Sequence, residues 1–172
     1  MKKGFTLIEV LIYIAVLVVI ITAVSAFFLW GIRSNSKTRV MRETLDNSTR
    51  AMEVLTREIK EAFSIYTETS TFDSNPGQLS LETTKYLPTG ESTTYIDFYL
   101  CNDQLCLKKE SQDPVALTSD KVKVTNLVFS RVITNEIPSV QVNLTVDYND
   151  LTGQPEYQAS VNLTSTISLR GY

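Results

Sequence analysis

An uninterrupted apolar run near the N-terminus constrains this 172-residue chain more than any other feature. From Val10 to Ile32, 23 consecutive residues carry no ionisable group beyond the phenol of Tyr13. About 20 apolar residues span a bilayer as a helix, whereas the surface helix of a soluble domain has a polar face. The run therefore predicts a membrane-spanning helix. It is followed by four basic residues with no acidic residue among them: Arg33, Lys37, Arg39 and Arg42.

Two ordinary interpretations of the run are open. In a secretory signal peptide, Lys2 and Lys3 would form the basic region and Val24-Ser25-Ala26 the cleavage site, so that a soluble binding domain would be released. A plain single-span anchor would instead be retained. Neither interpretation explains Glu9, because a charge within an apolar segment is costly.

The segment from Met1 to Ile12 resembles, residue for residue, the leader and processing site of type IV prepilins and pseudopilins. The shared features are a short basic leader ending in Gly4, then Phe5, a Thr-Leu-Ile-Glu continuation and an unbroken apolar helix. The resemblance implies that prepilin peptidase cuts on the cytoplasmic side between Gly4 and Phe5 and N-methylates Phe5. Residues 1–4 would then be a cleaved leader, and the helix would stay with the mature chain.

Glu9 acquires a role through the same resemblance. In assembled pilins the matching carboxylate is thought to meet the N-terminal amine of a neighbouring subunit, here that of Phe5. Such a pair attracts strongly at low dielectric and could set the axial register between subunits. The alternative is an acid near a helix N-terminus that the helix dipole stabilises.

A second helical segment is predicted at residues 33–66, directly after the membrane half at residues 5–32. No Pro or Gly lies between Ile32 and Tyr66. From Phe5 to Tyr66, a single helix would extend about 93 Å. One buried face is predicted from a stripe of residues in steps of three and four: Met41, Leu45, Ser48, Met52, Leu55, Ile59, Phe63 and Tyr66.

Residues 67–172 are predicted to form an extracytoplasmic antiparallel β-sheet domain. Alternation of apolar and polar residues is typical of half-buried strands, and an interrupted alternation near Asn126 predicts a β-bulge. The fold class is therefore α+β, with the long N-terminal helix packed on the C-terminal sheet, which is the pilin-like architecture that the resemblance implies. The strand candidates are residues 79–81, 95–101, 106–109, 122–133, 140–148 and 157–169.

Cys101 and Cys106 lie on the two strands of a predicted hairpin. Four intervening residues bring the side chains close enough for a disulfide if they occupy facing positions. Such a bond persists in an extracytoplasmic compartment, although two free buried thiols are the alternative.

Composition excludes several kinds of function. The chain has no His, which excludes catalysts built on an imidazole base, and two Cys cannot form a structural zinc site. Residues 67–172 carry 7 Lys and Arg against 13 Asp and Glu, which argues against a nucleic-acid surface and against a DNA-uptake pilin. We therefore expect a non-enzymatic protein without a cofactor.

A looser resemblance concerns the kind of filament subunit. The stretch from Ser48 to Ile65, the Phe98-Tyr99-Leu100 strand with the turn after it, and Asn126 to Ser130 are similar to minor pseudopilins of the J type and W-type minor pilins. The resemblance implies a subunit at or near the tip of a type IV pilus-like or type II secretion filament. Its partners would be other pilin subunits, prepilin peptidase, the inner-membrane assembly platform and membrane lipid. It would be a single-pass protein of the cytoplasmic membrane before entering a periplasmic or extracellular filament.

Overall fold

The computed structural model describes residues 6–85, 87, 89–134 and 137–170. One long helix, α1 (Leu7–Glu61), packs against antiparallel β-sheets, which confirms the predicted α+β pilin-like architecture. A short 3-10 helix, Pro155–Tyr157, precedes the last strand. The strands are β1 (Ser64–Ile65), β2 (Leu79–Thr83), β3 (Thr94–Cys101), β4 (Gln104–Lys109), β5 (Val115–Ala116), β6 (Val122–Thr134), β7 (Ile137–Tyr148) and β8 (Ser160–Ser168).

The helix ends at Glu61, so its predicted continuation to Tyr66 is wrong. Ala62 is buried and adopts an extended backbone, with φ −69° and ψ 145°. The N–H groups of Phe63 and Tyr66 then donate to carbonyls around β2 instead of to the helix. Pairing with a strand distant in the sequence terminates the helix, and helix propensity carries no signal of it. The described helix has 55 residues and is about 83 Å long.

The buried face of α1 differs from the predicted stripe. Ser48, Leu55 and Ile59 are buried as predicted, but Met41 and Leu45 are 45% and 43% exposed. Between Thr44 and Ala51 the buried side chains are small, and larger ones follow at Leu55 and Ile59. The buried residues of the helix are Val40, Thr44, Ser48, Ala51, Leu55, Glu58 and Ile59.

The strands form two antiparallel sheets where a single sheet was predicted. One has the order β1-β2-β3-β4-β5 and the other the order β6-β7-β8. Alternation along a strand shows which face is buried but not which strands pair, so the division was not visible in the sequence. Helix α1 packs mainly on β7 and β8, and both sheets contribute to one hydrophobic core.

The predicted strand features are largely confirmed. The register of β6 against β7 shifts between Val124 and Asn126, where the bulge was predicted. The last strand is shorter than predicted, because Tyr157 belongs to the 3-10 helix and β8 begins at Ser160. The hairpin of β3 and β4 has a turn of two residues, Asn102 and Asp103, both with positive φ, which is typical of a type I′ turn.

A loop before β2, in the five-stranded sheet, is hydrogen-bonded to β6 of the other sheet. The amide of Asn75 donates to the carbonyl of Thr125 at 3.2 Å and accepts from the N–H of Leu127 at 3.0 Å. The N–H of Gly77 also donates to the carbonyl of Leu127, at 2.8 Å. A Cβ on Gly77 would come within 3.1 Å of the Leu127 carbonyl oxygen and of the Phe129 ring. The loop therefore approaches β6 at a distance that only glycine permits without a shift.

Candidate membrane-anchoring and assembly segment

The carboxylate of Glu9 lies at the start of α1. Thr6 is the N-cap residue, and its backbone N–H donates to Oε2 of Glu9 at 3.5 Å. This contact is one half of a capping box, which satisfies a backbone donor that the helix itself leaves without a partner. Glu9 is half-buried, whereas its apolar neighbours are exposed.

Tyr13 is a second partner of Glu9, one turn further along the helix. Its phenol donates to Oε1 of Glu9 at 3.4 Å. Residues four apart on a helix are neighbours on its surface, so the spacing could have indicated this pair from the sequence, but it was missed. A phenol in this place reduces the cost of a carboxylate in an apolar segment.

The first half of α1 makes no buried contact with the sheets. It supplies the single candidate membrane span among the described residues, and none of that apolar window is buried inside the protein. The hydroxyl of Thr22 is satisfied within the helix, since it donates to the carbonyl of Val18 at 2.8 Å. The helix also runs without a break through Gly31. This half is therefore an apolar surface that water does not solvate well.

The predicted processing site, Gly4 and Phe5, lies outside the described residues. The cleavage between Gly4 and Phe5 and the N-methylation of Phe5 therefore stay predictions. Of the predicted assembly residues, the structure places Glu9, in the first turn of α1.

The two cysteines are far from this segment, at the turn of the β3–β4 hairpin. A disulfide joins Cys101 and Cys106, whose Cα atoms are 5.9 Å apart, within the usual range for such bonds. The two cysteines are not directly facing partners in the hairpin, because Cys101 pairs with Gln104 and Cys106 pairs with Tyr99. The bond is thus diagonal across the hairpin, next to Asp103, whose carbonyl accepts from the N–H of Val124 on β6.

Glu58 is a buried charge on the domain half of α1. Its side chain is 2% exposed, and Oε1 accepts from Nη2 of Arg57 at 3.1 Å and from Nε at 3.4 Å. Arg57 remains 61% exposed, so the guanidinium bridges the buried carboxylate and solvent. Charges this deeply buried are normally paired, and the pair lies at the domain end of the helix, remote from Glu9.

Two pKa values are shifted near the C-terminal end of α1, outside the membrane-spanning half. Hydrogen bonding to the ammonium of Lys85 lowers the pKa of Glu61, which ends the helix. Burial raises the pKa of Tyr95, and the nearby carboxylate of Glu82 adds to the effect. These groups join the helix end to the five-stranded sheet.

Comparison with known proteins bears on the N-terminal segment. Residues 1–25 match the family described as the prokaryotic N-terminal methylation motif. The match supports a type IV pilin-like protein. The motif indicates a structural subunit that prepilin peptidase processes and that assembles with other pilin subunits, and the apolar helix fits a membrane anchor. No curated protein and no solved structure matches the chain.

Proposed function

We propose that the chain is a minor pilin or pseudopilin, a structural subunit of a type IV pilus-like or type II secretion filament. The observation that carries the proposal is the division of α1 into two halves behind a prepilin motif. The half that begins at Leu7 contains no buried residue, and the half that begins near Val40 packs on the sheets. A helix with this division can pack its apolar half in lipid or among the helices of other subunits, while the sheet domain stays in water.

The proposed processing follows the motif. Prepilin peptidase would cut between Gly4 and Phe5 on the cytoplasmic side and N-methylate Phe5, leaving the sheet domain outside the cytoplasm. The disulfide between Cys101 and Cys106 supports that topology, because such bonds persist in oxidising compartments. The further partners would be membrane lipid and the assembly platform of the inner membrane. The J-type or W-type assignment and a position near the filament tip rest on the similar segments in the sequence.

Glu9 is proposed to set the register between subunits. In the single chain its carboxylate has only a backbone N–H and a phenol as partners among the described residues. Neither carries a positive charge, so the amine on Phe5 of a neighbouring subunit would be a stronger partner. The transfer of the carboxylate to that amine would favour assembly over the free subunit.

The mature N-terminus of the protein from its host's membranes tests the processing. We expect a chain that begins with N-methylated Phe5. A chain that begins at Phe27 would refute the proposal and would establish the secreted domain that ordinary signal peptidase releases after Ala26.

Assembly is tested with Glu9→Ala and with Glu53→Ala as the matched control. Glu53 is an exposed carboxylate on the domain half of the same helix. We expect Glu9→Ala to be processed but to be lost from the sheared filament fraction, and Glu53→Ala to appear there at the level of the original protein. Normal incorporation of Glu9→Ala would contradict the register role.

A further inference from the structure

The sheet domain meets α1 just after the apolar run ends. Residues 154–156, which precede β8, line a groove together with Trp30, Arg33, Ser34 and Lys37 of the helix. The apolar run ends at Ile32, so the groove lies beside the boundary between the span and the charged part of the helix.

The direction of β8 shows which end of the sheet domain lies beside the groove. The N–H of Arg170, after β8, donates to the carbonyl of Lys60 near the end of α1, at 3.0 Å. Tyr157, before β8, lies instead beside Val40. Helix α1 and β8 therefore run in the same direction, and the loop from Asn149 to Gln154 lies at the end of the domain nearest the span.

This loop has a fixed shape and an exposed apolar side chain. Oδ1 of Asp150 accepts from the backbone N–H and the hydroxyl of Thr152, at 2.8 and 2.7 Å. Between these two residues Leu151 is 93% exposed, more than any other large apolar side chain of the described residues. Covering such an exposed leucine with another apolar surface would be favourable.

The groups around the groove match the headgroup region of a bilayer. Trp30 is 67% exposed, and tryptophan is favoured at membrane interfaces. Arg33 and Lys37 place two positive charges in the lining of the groove, against the carboxylate of Glu156. Asp150 of the same loop lines a different hollow, together with Lys123. Basic residues next to a span attract anionic lipid headgroups, and a leucine can enter the shallow apolar layer below them.

We propose that Leu151 and residues 154–156, together with Trp30, Arg33 and Lys37, form a docking surface for the headgroups of anionic phospholipids. Docking holds the sheet domain against the bilayer before the subunit enters a filament. The proposal rests on the proposed function, because it requires α1 to cross the membrane. A lipid surface is the occupant that continuity with the span favours, since the groove adjoins residues that the bilayer already contacts.

Fluorescence quenching in vesicles tests the docking surface with the full-length chain. The vesicles contain phosphatidylglycerol and phosphatidylcholine, with a nitroxide either on the headgroup or on the upper acyl chain. A fluorophore is attached at Gln154→Cys or, as the control, at Thr84→Cys. Both positions are exposed, and the native cysteines are held in a disulfide. Thr84 lies next to Lys85, which pairs with Glu61 at the end of α1, about 36 Å along the helix from Lys37.

The expected result separates the docking surface from the span. Trp30, the single Trp of the chain, is quenched by the acyl-chain nitroxide in either labelled protein. The label at position 154 is quenched by the headgroup nitroxide, and the label at position 84 is not. Equal quenching of the two labels, with Trp30 still quenched, overturns the docking surface and leaves the membrane anchor standing. If Trp30 itself is not quenched, the membrane placement fails and the docking surface falls with it.

Substitutions give the chemistry of the contact. With the label at position 154, Leu151→Ser is expected to lower the docking equilibrium constant about tenfold, since it removes a leucine side chain that docking would bury. Lys37→Gln is expected to lower it about fivefold in anionic vesicles and to have no effect in purely zwitterionic ones. Val115→Ser, which removes a side chain 61% exposed on β5, is the matched control and leaves it unchanged. Equal effects of Leu151→Ser and Val115→Ser refute the contact.

The protein density in the vesicles tests a different occupant. Quenching at position 154 that falls as this density rises would mean that a second copy of the chain covers the groove, and this too overturns the lipid assignment.

Discussion

Replacing Leu55 with alanine tests where the helix packs on the sheets. Leu55 is fully buried in the core, whereas Leu45 is 43% exposed on the same helix, although the apolar stripe predicted both to be buried. Leu55→Ala removes packed atoms and leaves a cavity, which costs about 3 kcal/mol of the free energy of unfolding. Leu45→Ala removes partly solvated atoms, and we expect a cost of about 0.5 kcal/mol.

Thermal unfolding of the full-length chain in detergent measures the difference. The tyrosine signal in near-ultraviolet circular dichroism reports on tertiary packing, and five of the eight tyrosines lie in or beside the described strands: Tyr66, Tyr95, Tyr99, Tyr148 and Tyr157. At about 4 °C per kcal/mol, Leu55→Ala lowers Tm by about 12 °C and Leu45→Ala by about 2 °C. Equal shifts would refute the register of the helix on the sheets and would favour the stripe that the sequence predicts.

Three further predictions follow from other contacts. Gly77→Ala should lower the free energy of unfolding by about 2 kcal/mol in urea denaturation, because its Cβ would press on a carbonyl oxygen and an aromatic ring of β6; an unchanged midpoint would contradict the close approach. Tyr13→Phe removes only the hydroxyl that contacts Glu9, so the subunit should still be processed but should enter the membrane fraction at a lower yield; an unchanged yield would mean that the phenol does not matter. Lys85→Met should reduce the loss of stability below about pH 4.3, because the folded pKa of Glu61 is lowered and its stabilisation, present above the unfolded pKa, is lost as the pH falls through the folded one; identical acid unfolding curves for the two proteins would refute this contribution.

Local patterns in the sequence predicted the elements well. The apolar run and the absence of Pro and Gly over residues 32–66 predicted a long helix, and alternation predicted the strands. The broken alternation near Asn126 located the bulge. These features depend on residues close together in the chain, and a period of 3.6 or 2 expresses them directly.

The helix end and the buried face of the helix were misplaced because both depend on contacts between distant residues. The helix ends at Glu61 because the following residues pair with β2. The buried face includes Thr44 and Ala51 in place of Met41 and Leu45, because the sheets cover that side of the helix. Glu58 is buried although it is charged, and its carboxylate pairs with the adjacent Arg57. At the candidate site, the motif located Glu9, but the phenol of Tyr13 was not predicted to contact it.

Continuity of α1 links the two ends of the protein. Between Ile32 and Val40 the helix has no buried residue, yet its backbone hydrogen bonds continue through this segment. A flexible linker there would let the sheet domain turn freely about the anchor, whereas a continuous helix restricts its tilt and its height above the bilayer. The groove beside Trp30 is therefore held close to the end of the apolar run, and a movement of the span along its axis carries the sheet domain with it. The same stiffness that would bring the loop around Leu151 against the headgroups would lift it away when the subunit is drawn into a filament.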